Sequence, residues 1–166
     1  MSLQIVNGEG FKKPQSDKYH KIAFNSTYGE RNLVKNSGFN AGVVYTTEQT
    51  DNKPNIMTSL FGGFAGMGLR LGGQYNVFTK GEVGSSFISV SANYAVRNNI
   101  DIFARYDMAD WDTFYEGDKN GENYLVTGIV LTCNGGISVA PNVRITTSED
   151  ETEALTEYKV NFQFKF

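Results

Sequence analysis

Apolar and polar side chains alternate along this chain with period two, segment after segment. That is the spacing of a strand whose successive side chains point to opposite faces. It is cleanest over 158–166, where Tyr158, Val160, Phe162, Phe164 and Phe166 share one face and Lys159, Asn161, Gln163 and Lys165 the other. Segment 137–146 sets Ile137, Val139, Pro141, Val143 and Ile145 against Ser138, Ala140, Asn142, Arg144 and Thr146. Segment 100–108 sets Ile100, Ile102, Ala104, Tyr106 and Met108 against Asp101, Phe103, Arg105 and Asp107, and 86–96 places Ile88, Val90, Ala92, Tyr94 and Val96 on one side. In 69–79, Leu71, Tyr75 and Val77 oppose Arg70, Gln74 and Asn76. Segment 124–132 precedes 137–146, and weaker versions fall at 56–65, 39–46, 19–27 and the short 3–7, making about ten strands, all but the first of roughly membrane-crossing length. Pro141 has no N–H to donate, which predicts a bulge or gap beside it.

The connections sort by length and charge. CNGG, the RNN after 86–96, Met67-Gly68 and 28–37 fall at one end of the strands. The remaining connections fall at the other and are acidic, with Glu48 and Asp51, then Asp110, Asp112, Glu116, Asp118 and Glu122, then Glu149, Asp150, Glu151 and Glu153. Short turns at one end and longer loops at the other are the habit of a bacterial membrane barrel. The acidic loops read either as solvated surface or as oxygen ligands for divalent cations that bridge lipopolysaccharide.

Composition fits this picture: of 166 residues 40% are hydrophobic and 13% aromatic, with 18 glycines and 3 prolines, which favours strands and turns over helices. A mean hydropathy of -0.35 is what a barrel gives when only every second strand residue meets lipid. No apolar run reaches the roughly 18 residues of a membrane helix, and MSLQIVNGEG lacks the basic and apolar regions of a signal peptide. A strand ending on an aromatic residue is unusual for a soluble chain. The fold expected is all-β: an antiparallel up-and-down transmembrane β-barrel of about ten strands, one domain over 1–166. A soluble sandwich has the same periodicity and stays open on that evidence.

In the barrel reading the polar face lines the lumen, so Arg70, Asp101, Arg105, Asp107, Arg144 and Lys159 are the candidate pore-lining residues. The cations would favour anions; Asp101, Arg105 and Asp107 read equally as a salt-bridge ladder stiffening the wall. Tyr45, Tyr94, Tyr106, Tyr158 and Phe166 are the candidate membrane-interface aromatics. Trp111, Phe114 and Tyr115 either join that belt or fold inward at the mouth. The one histidine, His20, is in register with apolar Ile22 and Phe24 and has no adjacent acid–nucleophile pair, which argues against an enzyme. FGGFAGMG lacks the lysine of a phosphate-binding loop. Cys133 is alone, so neither a disulfide nor a thiolate metal site is expected, and no cofactor is implied. The net charge of -3 argues against nucleic acid.

The phrases QIVNGEGFKKP, SVSANYAVRNNIDIFARYD, NYLVTGIVLTCNGGISVAPNVRI and NFQFKF resemble the C-terminal part of Gram-negative outer-membrane porins, of the phosphate-selective porin O and P group. The likeness lies in strand phrases rather than invariant motifs. It implies a barrel of about sixteen strands, of which this chain supplies the latter part, acting as a passive diffusion channel for small hydrophilic solutes. It also implies a place in the outer membrane among lipid and lipopolysaccharide, recognition of the C-terminal strand by the barrel assembly machinery, and room for a homotrimer. The lumen lysines are few and unclustered, which argues against phosphate specificity. The alternatives are a small non-conducting structural barrel and, against the histidine argument, an outer-membrane barrel enzyme. Segment 3–7 is too short to cross hydrocarbon alone, so the last strand closes either on it in a ten-stranded barrel or on strands supplied by a longer chain.

Overall fold

The computed structural model describes residues 1–7, 14, 18–50, 53–113, 120–133 and 135–164. Ten strands follow one another: β1 (Ser2–Asn7), β2 (His20–Gly29), β3 (Gly38–Glu48), β4 (Asn55–Gly66), β5 (Leu69–Lys80), β6 (Val83–Arg97), β7 (Ile100–Asp110), β8 (Gly121–Thr132), β9 (Ile137–Ser148) and β10 (Leu155–Phe164). All are antiparallel, each pairs with its neighbours in sequence, and together they form a single sheet ordered β1 to β10. No helix occurs among the described residues. Nor do β1 and β10 pair among them, so the sheet is an open meander with those strands as its edges.

Register sets the faces. Tyr158 opposes Val143 and Phe162 opposes Val139; Leu125 opposes Ile145; Tyr106 opposes Leu125 and Val90; and the series continues through Leu71–Ala92, Phe64–Leu71, Phe39–Phe64 and Phe24–Tyr45. One apolar face therefore runs unbroken from β1 to β10. The other carries serine, asparagine, glycine and the strand charges, interspersed with Phe61, Phe78, Phe87, Phe103 and Tyr124. Burial is inverted relative to a water-soluble core: Thr46, Ser59, Ser89 and Asn142 of the polar face are buried, whereas Leu60, Leu71, Val90, Ile102, Ile129 and Phe162 of the apolar face are exposed. Each such half-exposed side chain forgoes about 1 kcal/mol of burial. Six of them already match a net stability of about 5–15 kcal/mol.

The strand ends are staggered. The Gly29–Asn40 pair closing β2–β3 lies in one hydrogen-bonded row with Gly63, Gly72, Ser91, Arg105, Val126 and Arg144. On β9 the strand runs from Arg144 back to Ser138, six residues further, before its turn. The loop ends drift the same way: Glu48, Asn55, Lys80 and Val83 share a row, whereas β7 ends at Asp110, opposite Ser86.

Three irregularities refine the alternation. Between Ala95 and Arg97 the β6–β7 register shifts, so Val96, expected on the apolar face, has no cross-strand partner. The β8–β9 ladder breaks between Gly128–Asn142 and Leu131–Val139, the gap expected beside Pro141. β6 begins at Val83 rather than 86, so Gly81 and Glu82 alone join it to β5. This makes one connection at the loop end as short as any at the turn end. Met67 and Gly68, with φ of 53° and 77°, form the two-residue β4–β5 turn, where positive φ at both positions matches strand twist.

Candidate functional site

The longest connection at the turn end, residues 30–37 between β2 and β3, does not project away from the sheet. Gly29, at φ 92°, reverses the chain where a Cβ would strike the Phe39 carbonyl, and Glu30 N–H donates to that carbonyl at 2.9 Å. The segment then lies across the polar face. Asn40 Nδ2 donates to Glu30 O at 2.9 Å, Arg70 Nη2 donates to Val34 O at 3.1 Å, and Leu33 packs on Gly63, where a Cβ would come within 2.9 Å of Leu33 Cδ1. Within the turn, Glu30 Oε1 accepts from Asn32 N–H at 2.8 Å. That bond and a hydrogen bond from the Asn36 side chain hold the Glu30 carboxyl below its ordinary value.

Beneath this turn the polar face holds a cavity of about 640 Å³, lined by the turn residues Arg31 to Val34 and, from the strands, by Asn40, Arg70, Asn93, Phe103, Arg105 and Val126. Three arginines, Arg31, Arg70 and Arg105, line it, and no Asp or Glu is among the described lining residues. Arg70 and Arg105 come from β5 and β7, two strand spacings across and two residues along, or about 12 Å apart, a span within reach of two arginine side chains.

The six polar-face residues singled out by alternation do share one face, but the structure does not bring them together equally. Arg105 Nε pairs with Asp107 Oδ1 at 2.9 Å on the same strand. Asp101 makes no ion pair with Arg105 among the described residues, so the expected three-membered ladder is a single pair. Arg144 Nε donates to Asn142 Oδ1 at 3.1 Å, and Asn142, buried, passes its own Nδ2 to Ala140 O at 2.8 Å. Lys159 pairs with Glu157 at 2.9 Å near the β10 edge. Three of these cations thus engage the residue two positions away on their own strand. Arg31, which carries no alternation signal, is the cavity residue that the pattern missed.

On the apolar face, Tyr45, Tyr94, Tyr106 and Tyr158 all stand in the expected register. Tyr106 OH donates to Asn123 Oδ1 at 2.7 Å, and Tyr28 and Phe39 add a tilted ring pair 6.0 Å apart near the turn end. Trp111 sits at the loop end, with Nε1 donating to Glu122 Oε2 at 3.3 Å; Phe114, Tyr115 and Phe166 lie outside the described residues. His20 is exposed opposite Asn7 at the loop end, and Cys133 is exposed in the β8–β9 turn, its N–H bonded to Ile137 O. Among the described residues no cluster of three metal-ligating side chains occurs.

Acid gathers at the loop end, where Glu48, Glu82, Asp110, Asp112, Glu122, Glu149, Asp150, Glu151 and Glu153 outnumber Lys21, Lys53 and Lys80, while Arg31, Lys35 and Arg97 stand at the turn end with Glu30. Strands of 10 to 12 residues separate the two by roughly 35 Å, several Debye lengths at physiological salt. The cavity therefore feels its own arginines and the adjacent Asp107 and Glu30 rather than the loop-end acids.

Comparison with family models, curated proteins and solved structures finds no match to this chain.

Proposed function

We propose that this chain forms the wall of an outer-membrane β-barrel of porin type, through which small hydrophilic solutes diffuse passively with a leaning toward anions. The observation that carries this reading is the inverted sheet. Its apolar face is exposed from edge to edge while serine, threonine and asparagine of the opposite face are buried, and hydrocarbon is the environment in which that distribution is stable. A monomer in water rarely leaves so large an apolar patch uncovered.

The stagger of the strand ends supports the same reading. Six residues over the six steps from β3 to β9 is one residue per strand, about 3.3 Å along for each 4.8 Å across. If the ends lie in one plane, the strands tilt by about 35°, at the edge of the 35–45° typical of barrel walls. In lipid the free backbone groups of β1 and β10 each cost several kcal/mol. They must therefore be paired, with each other or with strands from elsewhere in the assembly. The strand phrases resembling the phosphate-selective porin O and P group agree with this architecture, and the arginine-lined cavity accounts for the anion leaning.

The test is conductance. Purified protein reconstituted into planar bilayers should give stepwise current with a reversal potential displaced toward the anion equilibrium potential under a salt gradient. Stable insertion with no current would mark a structural barrel instead.

A further inference from the structure

The cavity under the 30–37 turn is more than a charged stretch of wall. Its three arginines are not equally committed within the fold: Arg105 spends Nε on Asp107, Arg70 spends one N–H on the Val34 carbonyl, and Arg31 makes no ion pair among the described residues. Donors therefore remain for an incoming anion. Two other features would be wasted on an inorganic ion. Leu33 and Phe103 give the cavity apolar walls. Asn93, which lies between Arg70 and Phe103 in the ladder, carries a buried Oδ1 with no hydrogen-bond donor. An unpaired buried acceptor is costly and is relieved by a ligand that brings a donor. At about 640 Å³ the cavity has the size of an ordinary small-molecule site.

We propose that this cavity is a binding site for small organic carboxylates that combine an apolar body with a hydroxyl or amino donor. The carboxylate is held by the arginine forks, which match its two oxygens. The body lies between Leu33 and Phe103, and the donor meets Asn93 Oδ1 once that side chain turns toward the cavity. The inference rests on the porin-type reading only in requiring the polar face to be wet, and it assigns a class of solute to one place on that face.

The probe is 4-hydroxybenzoate, with inorganic phosphate and 4-hydroxybenzamide as comparisons, titrated calorimetrically into the full chain folded in detergent micelles. Binding at least tenfold tighter than either comparison is expected. Arg31→Gln, which removes no contact that holds the turn, should weaken it roughly tenfold. Phe103→Ala should weaken 4-hydroxybenzoate and leave phosphate unchanged. Phosphate binding as tightly as the probe, or an Arg31→Gln variant that binds normally, would overturn the proposal. So would channels that conduct in bilayers while the folded protein binds no 4-hydroxybenzoate. Binding retained in a protein that carries no current supports the site and counts against the channel.

Discussion

Leu33 rests on Gly63: its Cδ1 lies 2.9 Å from where a Cβ on that glycine would stand, with the Leu71 carbonyl 3.1 Å away on the other side. A turn residue and a strand residue thirty positions apart are thus fitted together by the absence of one methyl group. Gly63→Ala should lift Leu33 and cost about 1–3 kcal/mol through overpacking. Gly73→Ala, whose added Cβ meets nothing closer than 3.9 Å, should be neutral or slightly stabilising. Urea unfolding in micelles compares the two, and equal midpoints would mean that the turn does not lie on the wall.

Glu30 makes the same turn pH-dependent. Its carboxylate is stabilised by the Asn32 N–H and the Asn36 side chain, so its folded pKa lies below the ordinary 4.5. A group with a depressed folded pKa contributes stability that is complete above its unfolded value and lost as pH falls through the folded one. Amide protection in 30–37, taken relative to the intrinsic exchange rate at each pH, should therefore hold steady from pH 7 to pH 5 and fall only below 4.5. Glu30→Gln should abolish that fall.

Much of this architecture is legible in the alternation, because period two fixes which side chains share a face before any partner strand is known. The shared face of Tyr158, Val143, Tyr106 and Val90 follows from it directly, while the register that pairs them does not. The course of residues 30–37 does not. ERNLVKNS has no period, and its position depends on Arg70 and Gly63, more than twenty residues downstream. For the same reason Arg31 reads as ordinary turn charge until the fold places it in one cavity with Arg70 and Arg105. The Ala95–Arg97 bulge is invisible because YAVR continues the alternation that the ladder abandons. Whether the outermost strands find partners is a property of long-range pairing, to which local pattern is blind.

Arg105 and Asp107 offer a paired test of ion preference. Asp107 is the more buried partner, with 13% of its side chain exposed against 49% for Arg105, so removing its charge leaves the guanidinium free to face solutes. Asp107→Asn should raise anion preference and Arg105→Glu should lower it, read as opposite displacements of the reversal potential in planar bilayers. A reversal potential unmoved by either change removes this pair from selectivity.

Leu60 stands mid-strand on the apolar face of β4, and Gln74 mid-strand on the polar face of β5. Leu60→Arg should destabilise the vesicle-inserted protein by about 2–4 kcal/mol, the cost of a cation at the bilayer midplane. Gln74→Arg should cost under 1 kcal/mol, the cost expected where the face lines the wetted lumen proposed above. Comparable losses at both sites would mean that the two faces meet the same medium.

The most direct measurement is a cysteine scan along β7 in lipid vesicles, in a Cys133→Ser background. Single cysteines at Ile102, Phe103, Ala104, Arg105, Tyr106 and Asp107 would carry a spin label and be read by collisional relaxation with oxygen in the lipid and with a water-soluble nickel complex. The account predicts strict alternation, with 102, 104 and 106 responding to oxygen and 103, 105 and 107 to nickel. Six labels that all respond to nickel, or that respond without period two, would contradict it.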